Sequence, residues 1–175
     1  LKAVGTESGI LVPAAEVDAL PIPELGRAAR SIGHLNVTYD VDGAVRAEPL
    51  AVGYFNEAYP SLALAVALRA LNLEPADVKV RIGESVRLGK LKIGTDAQTR
   101  MLTFYYQEQD GKPPFPVDSF FDVASGKVPL EKYRNKVVLI GPTVAGVGST
   151  FVTPVSPEMP SVLMEAHAVS SVLSG

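Results

Sequence analysis

Cysteine and tryptophan are both absent from the 175 residues, and histidine occurs only as His34 and His167. Without thiols there are no disulfides, no cysteine nucleophile and no cysteine-ligated zinc, and two histidines leave few options for a histidine base. Excess positive charge is missing too. Sixteen Lys and Arg stand against nineteen Asp and Glu, a net charge of -3 with pI near 5.4. Binders of nucleic acid usually carry a basic stripe, so no nucleic-acid partner is expected. A membrane-spanning segment is likewise lacking. The longest uncharged run, Val137 to Pro157, has 21 residues, but Gly141-Pro142, Gly146, Gly148, Pro154 and Pro157 would break a helix there. The opening LKAVGTESG has neither a basic start nor an apolar core, so it reads as a cut rather than a signal peptide.

What is present is a globular composition: 47% apolar and 20% charged residues with a mean hydropathy of +0.20. That excludes general disorder. The length suits one core, and no repeat or low-complexity linker divides residues 1–175, so a single domain is expected.

The chain is best placed from Asn135 to Gly175. Val137 to Ile140 is an apolar, mostly β-branched run that stops at Gly141-Pro142, the pattern of a central strand buried on both faces. A long Gly, Ser, Thr and Pro segment follows, and Ser161 to Leu173 then resumes an apolar pattern at helical spacing. Structureless loops of about twenty residues are usually functional in compact domains. The loop therefore holds the first candidate ligand-binding residues, Thr143, Gly146, Gly148, Ser149 and Thr150, with a purely structural crossover as the alternative.

Phosphate chemistry does not fit this loop. Gly141 and Gly146 have P-loop spacing, but Val147 stands where the lysine should follow. Gly146-x-Gly148 is followed by Phe151 where a dinucleotide fingerprint needs a third small residue, and three prolines delay the helix. No G-x-S-x-G elbow occurs. No cofactor is expected.

Earlier in the chain, Pro23 to Ser31 reads as a short helix, and Ile10 to Pro13 as an edge strand. His34 to Tyr54 reads as a β-hairpin, with Leu35, Val37 and Tyr39 on its buried face and a turn at Asp40 to Gly43. Beyond Pro49 the apolar positions change parity, which predicts a kinked second strand. Asp40-x-Asp42-Gly43 lacks the distal acids of a calcium loop. Tyr59 to Leu73 is apolar nearly all round and predicts a core helix. Val78 to Ile93 predicts two or three short strands with Lys79, Arg81, Arg87, Lys90 and Lys92 on an exposed face. Met101 to Tyr106 predicts a strand, and Ser119 to Ala124 a capped short helix.

The two histidines complete the candidate set. His34 and Asn36 share a strand face, which lines either a polar site or solvent. Glu165 and His167 lie two apart on a helix and point about 200° apart, so they do not grip one metal together. His167 is read first as an ordinary hydrogen-bonded helix residue, with a ligand role as the alternative.

Taken in order, GHLNVTYDVDGAVRAEPL, YPSLALAVA, PPFPVDSFFDVASG, NKVVLIGPTVAGVGSTFVTP and PSVLMEAHA resemble the type-2 CHASE domain, the cyclase- and histidine-kinase-associated sensory extracellular module of bacteria. The resemblance runs from about Leu20 to Gly175. It implies a non-enzymatic extracytoplasmic sensor on a bacterial inner membrane, anchored by adjacent helices and joined to a cytoplasmic cyclase, kinase or diguanylate cyclase. It also implies an unknown small-molecule or protein stimulus and a homodimeric parent. The family usually has an earlier strand-helix-strand portion with tryptophan-containing motifs, which this chain is expected to lack. Ser149 and Val169 stand where members often carry an acidic residue and an asparagine.

The expected fold class is α/β, a mixed and largely three-layer arrangement with a central sheet, a β-hairpin and flanking helices. Two other functions compete with the sensor: a soluble α/β domain binding a phosphorylated small molecule, and a structural dimerisation module.

Overall fold

A computed structural model of the chain describes residues 4–6, 11, 13, 21–55, 57–144 and 146–175. In chain order the described elements are β1 (Gly5–Thr6), α1 (Pro23–Ala28), β2 (Ala47–Pro49), β3 (Ala51–Tyr54), β4 (Glu57–Pro60), α2 (Leu62–Ala70), β5 (Val78–Arg81), β6 (Ser85–Leu88), β7 (Leu91–Gly94), β8 (Arg100–Leu102), α3 (Phe120–Ala124), β9 (Thr150–Thr153), β10 (Ser156–Pro160) and α4 (Ser161–Ser174). The fold is mixed α/β, as the composition and patterning predict.

Strict alternation makes the largest sheet. β5, β6 and β7 form an antiparallel meander, with Val78 opposite Leu88 and Val86 opposite Ile93, and β1 adds to β5 in parallel. Because successive side chains point to opposite faces, Val78, Val80, Val86, Leu88 and Ile93 are buried, while Lys79, Arg81, Arg87 and Lys92 face water. Those cations sit on a solvated strand face, where Glu84 lies 3.1 Å from Lys92.

Helices α2 and α4 close the core over this sheet. Ala63, Leu64, Ala67 and Leu68 of α2 join Ala168, Val169 and Val172 of α4 and the buried valines in one apolar cluster, and the two helices pack on each other. Helix α2 starts where Ser61 accepts a hydrogen bond from the Leu64 N–H at 3.2 Å, an N-cap. It ends before Asn72, whose φ of 55° turns the chain away.

The parity change beyond Pro49 takes the form of an exchange of partners. β2 pairs antiparallel with β8, and β3 with β4. Between them Leu50 is fully buried. Its N–H donates to the Thr99 carbonyl at 3.1 Å and its carbonyl accepts from the Ser61 N–H at 3.0 Å.

Four expectations are corrected. Val137 to Ile140 is not a central strand: the segment joins no sheet among the described residues, and Val138 and Ile140 are 50% and 77% exposed. Apolar character on both faces specifies burial only if neighbouring strands exist, and here the interior ladder belongs to β5 and β6. The hairpin's first arm also fails to form. The turn closes through Gly43 N–H to the Asp40 carbonyl, but Val45 N–H donates to Val152 and the Arg46 carbonyl accepts from Thr103. With its partner arm taken elsewhere, the segment leaves Leu35 and Tyr39 exposed. The Met101 to Tyr106 strand is shorter, ending at Leu102 as part of β8. The long loop is shorter as well, because 150–160 folds into the β9–β10 hairpin, with a bulge between Ser156 and Met159. The edge strand expected at Ile10 to Pro13 falls largely outside the described residues.

The first correction has a direct test by urea denaturation. Val138→Ala is expected to change stability by no more than about 0.5 kcal/mol, whereas Val80→Ala, at a fully buried site, is expected to cost about 2 kcal/mol or more. A cost at Val138 matching that at Val80 would restore the central strand.

Candidate functional site

Three polar side chains are buried inside the fold, on β2, at the start of α2 and on α4. Glu48, between Ala47 and Pro49 on β2, is 7% exposed, and Ser61 is fully buried. The Ser61 hydroxyl caps α2 and holds the Glu48 pKa down somewhat. From α4 comes Glu165, again 7% exposed, with Oε1 lacking a hydrogen-bond partner. Burial pushes the Glu48 carboxyl up to about 8, helped by the Glu165 charge nearby and opposed by Ser61. Burial lifts Glu165 to about 7. Neither acid has an ion-pair partner among the described residues. Arg46 is held by Asp40 and Asp42 at 2.8 and 2.7 Å, and Arg100 by Asp96 at 2.7 Å.

On another side of α4 lies an aromatic nest around His167, 2% exposed. Its ring stacks on Tyr106 at 5.7 Å and meets Phe115 edge-on at 4.9 Å and Tyr105 at 5.1 Å. Nδ1 accepts from the Tyr106 N–H at 3.2 Å. Burial lowers its pKa, with the Phe104 backbone working the other way. The neighbouring bonds repeat the theme: Phe104 N–H donates to Ser171 Oγ at 2.8 Å, and the Tyr106 hydroxyl lies 3.0 Å from Ser170 Oγ. Helix side chains therefore take the Phe104 and Tyr106 donors that a sheet would otherwise use, and β8 does not continue past Leu102.

His34 is tied to the same region through its backbone. Its N–H donates to Pro60 and its carbonyl accepts from Leu62. Gly33 comes so close that a Cβ there would lie 2.4 Å from the Leu62 Cα. His34 Nδ1 accepts from the Asn36 N–H at 3.2 Å, Nε2 is buried without a partner, and burial lowers the pKa to about 4. The Tyr105 hydroxyl is also buried and unpartnered, its pKa pushed up to about 12 by burial and by Glu48.

The residues picked from the loop are placed differently. Thr143, Gly146, Gly148, Ser149 and Thr150 are exposed. Gly146 and Gly148 have φ of +79° and +81°, and a side chain at Gly148 would strike Pro142. The Ser149 carbonyl accepts the Ser161 N–H at 3.1 Å, which ties the loop to the first residue of α4, and Thr150 pairs with Pro160 in β9–β10. The structure thus buries Glu165 on α4, where its charge acts on Glu48, and sets His34 with Asn36 beside Ser61. It puts His167 in the aromatic nest and leaves the loop on the surface. Sequence reasoning passed over Glu48, Ser61 and Tyr105. The one available signal was a lone acid in the otherwise apolar run from Ala47 to Phe55.

A groove of about 1030 Å³ opens beside the end of α4, lined by Arg46, Arg100, Asp96, Met101, Phe104 and Ser171. Its arginines are already engaged by aspartates. Among the described residues no group of three or more His, Asp or Glu could hold a metal ion, and no helix is long and apolar enough to cross a membrane.

Compared with known proteins, residues 2–175 match the family model described as the CHASE2 domain. No curated protein and no solved structure matches the chain.

Histidine burial has a signed consequence. A His34 pKa held below the ordinary 6.5 means that the folded state binds fewer protons than the unfolded chain between about pH 4 and 6.5. That contribution to stability is full above this window and is lost as pH falls through it. In thermal denaturation, wild type is expected to lose ground to His34→Gln steadily from pH 6.5 to 4; a constant gap between them would contradict the buried neutral imidazole.

Proposed function

The chain belongs to the CHASE2 family of extracellular sensory domains, and on that premise we propose that it is the extracytoplasmic sensor of a bacterial transmembrane receptor. In this reading it carries stimulus binding through α4 to a cytoplasmic output domain, such as a nucleotide cyclase, a kinase or a diguanylate cyclase. CHASE2 domains are sensory rather than catalytic, and catalysis belongs to the output domain.

The observation that carries the proposal is the construction of α4. Its inward face buries Ala168, Val169 and Val172 against α2 and the sheet, and Met164 packs with Val45 and Met159. Along the same helix it carries the buried Glu165, and His167, Ser170 and Ser171, which bond Phe104 and Tyr106. At its start the β9–β10 hairpin feeds it without an intervening residue. A stimulus that alters any of these contacts acts on the helix directly, and it needs to favour one seating over the other by only a few kcal/mol to shift the population usefully.

A second reading, association with a copy of the same chain, is favoured by exposed large apolar side chains. Phe104, Phe120, Phe121 and Ile140 are each more than 60% exposed, and such surface is more often an interaction site when contiguous. Concentration-dependent sedimentation would support it.

The sensor proposal is tested in the parent protein by placing after Gly175 a reporter enzyme that is active only outside the cytosol; activity is expected, and a reporter active only in the cytosol would overturn the assignment. Overpacking α4 tests the coupling. Ala168→Leu, at a site 2% exposed, is expected to cost about 1–3 kcal/mol, to raise amide exchange across Ser161–Leu173 and to shift the parent's basal output. Faster exchange with unchanged output would mean that α4 does not transmit.

A further inference from the structure

We propose that the outer face of the β5–β7 meander is a docking surface for the anionic phospholipid headgroups of a membrane. The inference rests on the sensory reading above, which holds the parent at a bilayer, and it adds how the domain is seated against that bilayer.

Sequence concentrates the charge and strand register aligns it. The fourteen residues from Lys79 to Lys92 hold five of the sixteen cations, Lys79, Arg81, Arg87, Lys90 and Lys92, but only one of the nineteen acids, Glu84. A chain of net charge -3 is therefore polarised, basic in this stretch and more acidic outside it. In the ladder Lys79 stands directly opposite Arg87, and Arg87 directly opposite Lys92, a row of three cations about 10 Å across at the usual strand spacing. All three are exposed. Glu84 engages one end of the face, 3.1 Å from Lys92 and 3.7 Å from Arg81. Lys92 first, and Arg81 and Arg87 with it, hold that one carboxyl below its ordinary pKa. Lys79, Arg87 and Lys90 have no ion-pair partner among the described residues.

A guard against strand pairing does not account for this row. Such guards belong on edge strands, and of the three only Lys92 is on one: β7 is an edge, while β5 and β6 lie inside the order β1-β5-β6-β7. Solvation does not account for it either, since like charges directly opposite one another destabilise a sheet. A polyanionic plane reverses the sign of that cost, because each cation near it raises the partition coefficient about fivefold. Side chains standing on a flat ladder enclose nothing, which suits a plane of headgroups better than a single free anion. The face is also placed for the task. Helix α4 ends against the edge strand, where a Cβ on Gly175 would lie 2.8 Å from the side chain of Leu91, the residue between Lys90 and Lys92. Docking the basic face therefore fixes the end of α4 relative to the headgroups.

The test uses the 175-residue chain and vesicles of phosphatidylglycerol mixed with phosphatidylcholine, with pure phosphatidylcholine vesicles for comparison. Co-sedimentation is expected with the anionic vesicles only, and it is expected to fall about tenfold or more between about 0.05 M and about 0.5 M salt, as screening shortens the reach of exposed charges. Lys79→Gln, Arg87→Gln and Lys92→Gln combined are expected to lower the partition coefficient about a hundredfold. Lys112→Gln, Arg134→Gln and Lys136→Gln combined remove the same charge outside the sheet and are expected to lower it about threefold or less. Acetylation footprinting of the wild type supplies a readout that needs no variant: bound vesicles are expected to shield Lys79, Lys90 and Lys92 relative to Lys112 and Lys136. No binding to anionic vesicles, equal loss in the two triple variants, or shielding that spares the three sheet lysines would overturn the docking surface. An oligonucleotide that shields those lysines where vesicles do not would overturn the membrane as its occupant. Failure of the sensory reading is seen separately, in the topology reporter placed after Gly175, and leaves the vesicle result standing.

Discussion

Helix α4 can be seated only if its polar side chains are satisfied at the same time as its apolar ones, and the rest of the domain is arranged around that condition. Met164, Ala168, Val169 and Val172 supply the apolar area, at roughly 1.5–3 kcal/mol for each large side chain fully buried. The polar positions decide the register of the helix against its surroundings. Ser171 Oγ donates to the His167 carbonyl and accepts from the Phe104 N–H, so it is saturated. His167 Nδ1 takes the Tyr106 N–H. A shift of α4 along its axis would leave buried donors unpaired at about 1–3 kcal/mol each, a restraint that greasy contacts alone do not provide.

The local parts of this arrangement were legible in the sequence. Tyr59 to Leu73 and Ser161 to Leu173 show an apolar period and a plausible start, and they became α2 and α4, although Tyr59 and Pro60 went to β4 and α2 ends at Ala70. Val78 to Ile93 shows clean alternation with cations between, and it became β5 to β7. In each case the information lies within a few residues and the tertiary structure agrees with it. Where it failed, the deciding partner was distant. Val137 to Ile140 has the composition of a central strand, but composition says nothing about which segment stands beside it. Leu35 to Tyr39 alternates well, yet Val45 and Arg46 pair with Val152 and Thr103, more than fifty residues away. The Asp40–Gly43 turn, a local feature, formed as read, with Arg46 gripping both aspartates.

The candidate site was legible in the same uneven way. Glu165 and His167 could be singled out as titratable residues in an apolar helix, and His34 because it shares a strand face with Asn36. Glu48 has the same property, but its partner lies more than a hundred residues on, and no short-range pattern joins them. The glycine-rich loop attracted attention through length alone, and half of that length is a hairpin. Loop length is a weak guide when β9, Thr-Phe-Val-Thr, is a strand-favouring run of only four residues and β10, Ser-Pro-Glu-Met-Pro, carries two prolines.

The energetics give the interior acids a significance beyond their placement. Keeping a carboxyl with an ordinary value of 4.5 protonated near pH 7 costs about 3 kcal/mol, comparable with the gain from burying a large apolar side chain. Two such groups oppose a stability that is only about 5–15 kcal/mol for a typical domain. Leucine at either position would remove that cost, and replacing buried ionisable pairs with apolar residues is often neutral or stabilising. The structure offers nothing to offset that cost at Glu165, whose Oε1 bonds to nothing. Here the uncompensated group lies on the same helix that holds the 104–106 segment, so any change in its charge falls on the element with the most to disturb.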